Sequence, residues 1–258
     1  MMGRFAVILP AAGRSTRFGD PGRKKIYADL DGRAVWLRAA DAFLGRGDVG
    51  QVIVAIAAED RELFERRFGA EVGFRGIVVV EGGAERHDSI AGALAAVDPS
   101  CEFVAVHDAA RPCLPADRVD AVFAAAVEHG AALLAVAVAD TLKRVGPEGR
   151  VVETVSRAGL FGAQTPQVFR KDWLVEAYAG RVPGVTDDSQ LVEALGHACV
   201  VVDGSPMNLK ITTQADLKLA SAILKALPRP EGARPLHPFS DELATRDSGP
   251  RPKLDDLF

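Results

Sequence analysis

Short apolar runs alternate with longer amphipathic stretches along most of the chain. The apolar runs are nearly continuous, which is typical of strands buried on both faces of a parallel sheet. These runs are RFAVILP, QVIVAIA, GIVVV, CEFVAVHD and ALLAVAVAD, and a last one, ACVVVDG, follows later. The stretches between them have a helical period, and we expect helices at about 34–45, 59–68, 86–97, 115–129 and 213–227. The pattern predicts an α/β fold with a Rossmann-like, mostly parallel sheet and helices on both faces.

The pattern changes after Asp140, where no helix separates the next two strands. The segment TLKRVGPEGRVVETVSR has two short strands of alternating polarity around GPEG, which is a turn signal. We therefore predict a β-hairpin arm at about 140–157 that protrudes from the main sheet and points towards a second subunit.

The composition changes again at Pro228. The 31 residues from there to the end contain six prolines, mixed charge and little periodicity. Such a composition predicts one folded domain over 1–227 and a Pro-rich, flexible tail over 228–258. The final KLDDLF has two apolar anchors that would suit a docking peptide, but a plain tail, or one that packs onto the domain, is the preferred interpretation.

Composition and charge exclude several classes of function. The chain has 258 residues, of which 48% are hydrophobic and 26% are charged, as in proteins with a substantial core. A net charge of -4 argues against a general nucleic-acid binder, and the longest apolar run, 131–139, is too short to span a bilayer. Three cysteines without a CxxC pattern favour a reducing compartment. We expect a cytoplasmic protein that binds neither nucleic acid nor membrane.

One basic stretch contrasts with this acidic balance. LPAAGRSTRFGDPGRKK, at 9–25, contains five basic residues and three glycines, and residues 1–38 hold eight Lys and Arg against three Asp. No GK[ST] or GxGxxG pattern is present. The small residues Ala11, Ala12 and Gly13 would let backbone N–H groups approach phosphate oxygens, while Arg17 and Lys25 supply charge. The stretch suits a triphosphate, and its alternative interpretation is a solvated basic loop.

Further polar clusters follow the predicted strands. EGGAERHDS, HDAARP and DTLKR each come after an apolar run, and ligands of such sheets bind outside the carboxyl ends of the strands. We therefore expect these three clusters and PAAGRSTRFG to converge on one edge of the sheet. Asp108, with Arg111 three residues on, suits Mg²⁺ held jointly with phosphate oxygens, although it would also suit a cap or a pair with Arg111. His107 has no Ser or Cys nucleophile beside it and is interpreted as structural. Lys210, between two apolar residues, would face the opposite way from them.

Seven motifs occur in the order typical of one enzyme family. They are PAAGRSTRFG…KKIY, GGAERHDSI, VHDAARP, DTLKR, QTPQVF, TDDSQLVEALG and NLKITTQADL. The chain thereby resembles the 2-C-methyl-D-erythritol 4-phosphate cytidylyltransferases over residues 5–226. The first motif is shared with many nucleotidyltransferases, and the specificity comes from finding all seven in order.

The resemblance implies a reaction, a fold and partners. CTP and 2-C-methyl-D-erythritol 4-phosphate would give 4-diphosphocytidyl-2-C-methyl-D-erythritol and pyrophosphate, with Mg²⁺, on the non-mevalonate route to isoprenoids. A phosphate oxygen of the acceptor would attack the α-phosphorus of CTP in line, so no covalent enzyme intermediate is needed. The fold would be that of the nucleotide-diphospho-sugar transferases. The arm would reach into the neighbouring subunit of a homodimer.

The resemblance also assigns roles to individual residues. The residues that stabilise developing charge would be Arg17, Lys25 and Lys210. The nucleotide would be bound by Ala11, Ala12, Gly13, Gly83, Ala84, Ser89 and Asp108, and Asp108 would sit by the metal or the ribose. The acceptor would be bound by Arg111, Thr141, Arg157, Thr165 and Thr186, with Thr141 and Arg157 acting across the dimer.

Two departures from the family pattern and two rival functions remain open at the level of sequence. Ile26 stands where the family usually has glutamine, Ala84 stands where an acidic residue is common, and either Lys24 or Lys25 could be the lysine of the KKIY motif. One rival is a cytidylyltransferase for another polyol phosphate, such as ribitol 5-phosphate. The other is a catalytically silent nucleotide-binding scaffold that recruits partners through its tail, against which the joint presence of the basic residues and Asp108 counts.

Overall fold

The computed structural model describes residues 3–15, 18, 24–180, 185 and 187–227. A compact unit spans Met1–Lys225. The predicted tail at 228–258 lies outside the described residues, as do Arg17 and Thr186.

The strands and helices of the described residues follow the predicted alternation through most of the chain. The strands are β1 (Phe5–Pro10), β2 (Asp29–Leu30), β3 (Arg33–Ala34), β4 (Val49–Ala57), β5 (Val78–Gly82), β6 (Phe103–Val106), β7 (Ala131–Ala137), β8 (Leu142–Val145), β9 (Val151–Val155), β10 (Phe161–Arg170) and β11 (Val200–Asp203). The α-helices are α1 (Val35–Asp41), α2 (Arg61–Arg75), α3 (Arg86–Leu94), α4 (Ala116–His129), α5 (Lys171–Ala179), α6 (Asp188–Ala194) and α7 (Gln214–Ala226). Single 3₁₀ turns occur at Lys25–Tyr27 and Ala58–Asp60.

Seven of these strands form the central sheet, in the order β11-β7-β10-β6-β1-β4-β5. Strand β10 runs antiparallel to both of its neighbours, and the other four pairings are parallel. The predicted mostly parallel sheet is confirmed, but β10 was not predicted. Its sequence, FGAQTPQVFR, has polar residues and a proline in the middle, so it lacks the continuous apolar run that marks the parallel strands.

Strand β1 shows how the sheet is covered on both faces. Phe5, Val7 and Leu9 belong to one buried cluster, which includes side chains of α1, α2 and α4. Ala6 and Ile8 belong to a second cluster, which includes side chains of α3, α5 and α6. Because successive strand residues point to opposite faces, two cores form on the two sides of one sheet. The predicted helices on both faces are confirmed.

Helix α2 extends further than its pattern predicted. The expected helix covered 59–68, whereas the observed one begins at Arg61 and ends at Arg75. Phe64, Phe68 and the partly buried Val72 continue one apolar stripe at intervals of four residues. The helix stops at Gly76, which has a left-handed φ of 63° and whose N–H bonds back to the last turn.

The predicted arm is an antiparallel hairpin of β8 and β9, which form a separate two-stranded sheet. The turn forms at the predicted GPEG: the Gly146 N–H donates to the carbonyl of Arg150 at 2.9 Å, and Gly149 has a φ of 75°. Cross-strand pairs, including Lys143 Nζ to Thr154 Oγ1 at 2.7 Å, hold the two strands in register.

None of the described helices combines the length and apolar composition needed to cross a membrane.

Candidate active site

A cavity of about 220 Å³ lies at the carboxyl ends of β1, β5 and β6. It is lined by Pro10, Ala11, Ala12, Gly13, Ser15, Lys25, Ile26, Gly83, Ala84, Glu85, Arg86, Ser89, Asp108, Ala109, Ala110, Lys210 and Thr212. Three of the four polar clusters that were predicted to converge therefore do so. The fourth, DTLKR, begins the arm and does not line the cavity; the segment before α7, which carries Lys210, takes its place.

The loop after β1 approaches the cavity through small residues. The N–H of Ala11 donates to the carbonyl of Ala55 at 2.7 Å, so this group serves the sheet and not a phosphate, in contrast to the prediction. Ala12 and Gly13 continue the lining, and a Cβ at Gly13 would meet no atom of the described residues within 4 Å. The described part of the chain therefore leaves the space in front of Gly13 to a ligand.

Ser15 fastens this loop to the basic segment. It has a left-handed φ of 56°, which is uncommon for a residue with a side chain, and its Oγ accepts the Lys25 N–H at 3.1 Å. Ser15 lies within the motif PAAGRSTRFG, but its residue type and spacing gave no reason to assign it a role. The unusual backbone angle is a property of the folded loop, which the sequence pattern does not show.

The structure distinguishes Lys24 from Lys25. Lys24 Nζ pairs with Asp60 at 2.7 Å and with Glu59 at 3.2 Å, and the side chains of Lys24 and Asp60 are only 15% and 11% exposed. Lys25 lines the cavity, and Lys24 does not. The 3₁₀ turn that starts at Lys25 sends the two neighbouring side chains to different surroundings.

The glycines after β5 allow close packing beside the cavity. A Cβ at Gly82 would lie 2.7 Å from Ala12 Cβ and 2.9 Å from Ser89 Oγ, and one at Gly83 would lie 2.2 Å from Asp88 Cβ. Ser89 is buried, and its hydroxyl donates to the carbonyl of Glu85 at 3.0 Å. Any side chain at 82 or 83 would push this wall of the cavity outward.

Asp108 is the centre of a group of cations. Its Oδ2 lies 2.9 Å from Lys210 Nζ and 3.3 Å from Arg111 Nε, and its Oδ1 lies 3.7 Å from Arg86 Nε. Burial by itself raises the pKa of Asp108, but attraction to Lys210, Arg86 and Arg111 outweighs burial and brings the pKa well below its ordinary value. Asp108 is therefore ionised at neutral pH.

The segment before α7 is bound to the Asp108 turn along its length. Arg111 Nη1 donates to the carbonyl of Asn208 at 2.7 Å, and the Ile211 N–H donates to the carbonyl of Ala110 at 2.8 Å. Asn208 is fully buried, and its Nδ2 donates to the Thr165 carbonyl at 2.8 Å. These bonds place Lys210 opposite Asp108. Asn208 was not identified from the sequence, where it is one polar residue within a motif.

Thr165 and His107 lie beneath Asp108. His107 Nε2 lies 3.0 Å from the Arg111 carbonyl, so this nitrogen carries the proton and Nδ1 accepts from the Thr165 hydroxyl at 3.2 Å. Thr165 Oγ1 in turn accepts the Asp108 N–H at 3.0 Å. The Thr165 hydroxyl is thus engaged within the protein, and the interpretation of His107 as structural agrees with its position.

We expect His107 to make the stability of the protein depend on pH. Burial lowers the pKa of His107 to about 4 from 6.5, so the unfolded chain takes up a proton first as pH falls. Above pH 6.5, neutral His107 makes its full contribution to the free energy of unfolding. Between pH 6.5 and pH 4 this free energy falls by up to about 3 kcal/mol. Urea unfolding of wild type and His107→Gln at pH 7.5, 5.5 and 4.5 measures this. If the free energy of unfolding depended on pH equally in the two proteins, the prediction would be contradicted.

The remaining predicted site residues lie elsewhere. Thr141 and Arg157 are exposed at the base of the arm and do not line the cavity of this chain. Arg17 and Thr186 lie outside the described residues. Arg86 lines the cavity but was not selected from its motif, GGAERHDSI, although its place directly after a predicted strand was an available signal.

The carboxylate chemistry of the cavity can be tested against magnesium. Asp108 is one oxygen donor facing three cations, and the described residues contain no group of three or more His, Cys, Asp or Glu that could hold a metal. Mg²⁺ usually takes one or two carboxylates together with substrate phosphates. The residues fit an ion held mainly by phosphate oxygens, with Asp108 as the protein ligand. They do not fit an ion held by protein alone.

The comparisons with known proteins point to one enzyme family. The family profile of 2-C-methyl-D-erythritol 4-phosphate cytidylyltransferase matches residues 5–226. A relative of that name from Rhodopirellula baltica is 44% identical over 233 residues, which cover 85% of this chain and 94% of the relative. Another of that name, from Symbiobacterium thermophilum, is 44% identical over 225 residues, covering 85% and 92%.

A solved structure extends the likeness to the fold. The 2-C-methyl-D-erythritol 4-phosphate cytidylyltransferase of Francisella tularensis superposes with a TM-score of 0.73 at 31% identity, covering 86% of this chain and 100% of that one. The span of the family profile, residues 5–226, includes the strands of the central sheet, the described residues that line the cavity, and the hairpin arm. The chain belongs to the 2-C-methyl-D-erythritol 4-phosphate cytidylyltransferase family.

Proposed function

We propose that the cavity around Asp108 transfers the cytidylyl group of CTP to 2-C-methyl-D-erythritol 4-phosphate and releases pyrophosphate. The observation that carries this proposal is the grouping of Asp108 with Lys210 and Arg86 in a cavity that Lys25 also lines, with Arg111 paired to Asp108 from outside the lining. Such a concentration of positive charge suits a triphosphate. The small residues of the lining, Ala11, Ala12, Gly13, Gly83 and Ala84, would leave room for a base and a ribose.

The reaction needs positioning and charge stabilisation more than acid–base chemistry. The acceptor phosphate is already a nucleophile, so one of its oxygens forms a bond to the α-phosphorus while the bond to the pyrophosphate oxygen breaks. Lys25 and Lys210 would stabilise the charge that develops on the α-phosphate and the leaving group, together with Arg17. His107 is neutral and bonded to backbone and Thr165, which supports a mechanism without a histidine base.

Magnesium is part of the proposal. Asp108 would hold it together with phosphate oxygens of CTP, and the ion would neutralise charge on the triphosphate. Binding of CTP also gives Lys210 and Arg86 an anionic partner other than Asp108. The same carboxylate that the cations neutralise in this structure would then be able to bind the ion.

Recognition of the cytosine would rest on backbone and small side chains. Ala84 has no acidic side chain, and the Ser89 hydroxyl donates to the backbone carbonyl of Glu85. A backbone carbonyl of the 83–85 segment would be the acceptor that a cytosine amino group requires. Ile26 is buried beside Tyr27 in the core cluster while it also lines the cavity, so it would give the ligand an apolar contact in place of a polar one.

The acceptor side would be completed by a second copy of the chain. Thr141 and Arg157, at the base of the arm, lie away from the cavity of their own chain. The arm exposes Val145, Val151 and Val152 by 52%, 59% and 67%. Apolar exposure of this kind favours burial against a partner, and we propose a homodimer in which the arm reaches the neighbouring cavity. Light scattering of the purified protein is expected to give the mass of two chains.

Pyrophosphate release from purified protein tests the proposed function. We expect release with CTP, Mg²⁺ and 2-C-methyl-D-erythritol 4-phosphate, and none when EDTA removes the metal or when the acceptor is omitted. Ribitol 5-phosphate serves as the competing acceptor, because another polyol-phosphate enzyme would share the nucleotide half of the cavity. Release with ribitol 5-phosphate alone would move the chain to that activity, and release with neither, while CTP still binds, would favour a silent nucleotide-binding protein.

A further inference from the structure

Arg86 and Asp188 form an ion pair across two segments of the fold. Arg86 begins α3 beside the cavity, and Asp188 begins α6, 102 residues later. Nη1 and Nη2 of Arg86 donate to Oδ1 and Oδ2 of Asp188 at 3.0 and 2.7 Å. The Asp188 side chain is only 1% exposed, whereas the arginine is 33% exposed towards the cavity. Arg86 and Asp188 therefore form a bidentate ion pair, called here the fork, in which the aspartate is buried and the arginine lies at the cavity.

The buried end is held from three directions. The Tyr178 hydroxyl of α5 donates to Asp188 Oδ1 at 2.5 Å. Gln167 Oε1, from β10, accepts the N–H groups of Asp188 and Ser189 at 3.1 and 3.0 Å. The first turn of α6 is consequently bound to α3, α5 and β10 at once, so Asp188 has little freedom to move.

The exposed end faces Asp108. Arg86 Nε lies 3.7 Å from Asp108 Oδ1, so one guanidinium spans two carboxylates. Burial lowers the pKa of Arg86, but attraction to Asp188 and then Asp108 outweighs burial and raises it above its ordinary value. The arginine stays charged, and its planar fork leaves one orientation in which both bonds to Asp188 form. That orientation directs Nε at Asp108.

Stability alone is a weak reason for such a pair. The free-energy cost of removing two charges from water offsets much of their mutual attraction. Replacing a buried ion pair by apolar residues therefore often leaves the stability of the protein unchanged. What a two-bonded pair does provide is a fixed geometry. Displacements of about 1 Å at a reaction centre can cost roughly 100-fold in rate, so geometry at Asp108 is worth fixing.

We propose that Arg86 and Asp188 are positioning residues of the transfer, in which Asp188 orients the Arg86 guanidinium towards Asp108 and the cavity. The inference rests on the proposed function. It also joins the two halves of the site: Arg86 belongs to the wall assigned to the nucleotide, and Asp188 follows Thr186, an acceptor residue by the resemblance, by two positions in the sequence.

Three single variants separate positioning from structural support. Arg86→Lys keeps the charge but not the fork, and Asp188→Asn keeps the shape but not the charge. Tyr178→Phe removes one hydrogen bond to the same carboxylate and leaves the fork intact, so it is the matched control. Steady-state kinetics with each substrate varied in turn, and thermal melts, are measured for the full chain.

We expect Arg86→Lys and Asp188→Asn to lower kcat by roughly 10- to 100-fold at temperatures well below their melting points. The KM for CTP should change much less than kcat. Because both variants break the same fork, the double variant should be about as slow as the slower single one. Tyr178→Phe should lower the melting temperature and keep kcat near the wild-type value. Asp188→Glu should recover part of the kcat lost in Asp188→Asn.

Wild-type kcat in Arg86→Lys and Asp188→Asn, with only their melting temperatures lowered, would overturn the proposal. Equal losses of kcat in all three variants would overturn it as well, because the effect would then follow loss of packing. If Asp188→Asn does not fold, the comparison of Arg86→Lys with Tyr178→Phe decides. Failure of the wild-type protein to turn over would refute the proposed function itself, and is seen separately in the same assay.

Discussion

Replacing Lys25 with alanine is expected to lower kcat by about 10²–10³-fold, the effect of removing one charged donor from a preorganised site. Lys25 lines the cavity that Asp108 and Lys210 also line, so its loss leaves developing phosphate charge without one of its partners. Circular dichroism and the free energy of unfolding should stay close to wild type, since the lysine is half-buried at the cavity rather than in a core cluster.

The neighbouring lysine provides the matched control. Lys24 is paired with Asp60 at 2.7 Å, both side chains being largely buried, and Asp60 also accepts the Tyr27 hydroxyl at 3.0 Å. Lys24→Ala should therefore cost about 2 kcal/mol of stability, because among the described residues Asp60 would keep only the Tyr27 hydroxyl as a partner, while kcat changes little. Urea unfolding and pyrophosphate release distinguish the two variants. The opposite outcome, with kcat lost in Lys24→Ala and kept in Lys25→Ala, would exchange the roles of the two lysines.

The two lysines also mark a limit of prediction from sequence. Both belong to the same basic stretch and have the same chemistry, so no pattern separates them. Their difference arises from the 3₁₀ turn at Lys25–Tyr27 and from the position of Asp60, which is 36 residues after Lys24 in the chain. A contact between distant segments decides which lysine meets the cavity.

Much of the fold was predictable because buried parallel strands have a distinctive composition. FAVILP and VIVAIA are apolar on both faces, and their carboxyl ends must meet at one edge of the sheet. That rule placed the loop after β1, Gly83 and Asp108 together correctly. It misplaced DTLKR, because a strand that leaves the sheet as an arm carries its end away from the shared edge.

The buried polar network was beyond the sequence for a different reason. Gln167, Tyr178 and Asp188 come from β10, α5 and α6, none of which was predicted, since these segments are short or interrupted by polar residues. In isolation, each of these residues resembles an ordinary surface residue. Only the antiparallel insertion of β10 between β6 and β7 brings their segments together.

Replacing Asp108 with asparagine is the second large effect we expect, with kcat/KM falling by about 10²–10³-fold. The carboxylate holds Lys210 at 2.9 Å, Arg111 at 3.3 Å and Arg86 at 3.7 Å, and it is the proposed protein ligand of Mg²⁺. Asparagine keeps the shape but removes the charge, so the cations lose their alignment and the ion loses its ligand. The Mg²⁺ concentration for half-maximal rate should rise in the same variant.

In Asp108→Asn the loss of stability should be smaller than the loss of transition-state stabilisation, which is about 3–4 kcal/mol for a 10²–10³-fold fall in kcat/KM. Removing one partner of a fully buried pair typically costs about 3–5 kcal/mol, but Lys210 is 42% exposed and can turn to water, so we expect about 2 kcal/mol. Asp41→Asn is the matched control: Asp41 is held by Arg33 and Arg75 away from the cavity, so its loss should lower stability and leave kcat/KM unchanged. If both variants lost activity in proportion to stability, Asp108 would be a structural anion and the reaction centre would have to lie elsewhere in the cavity.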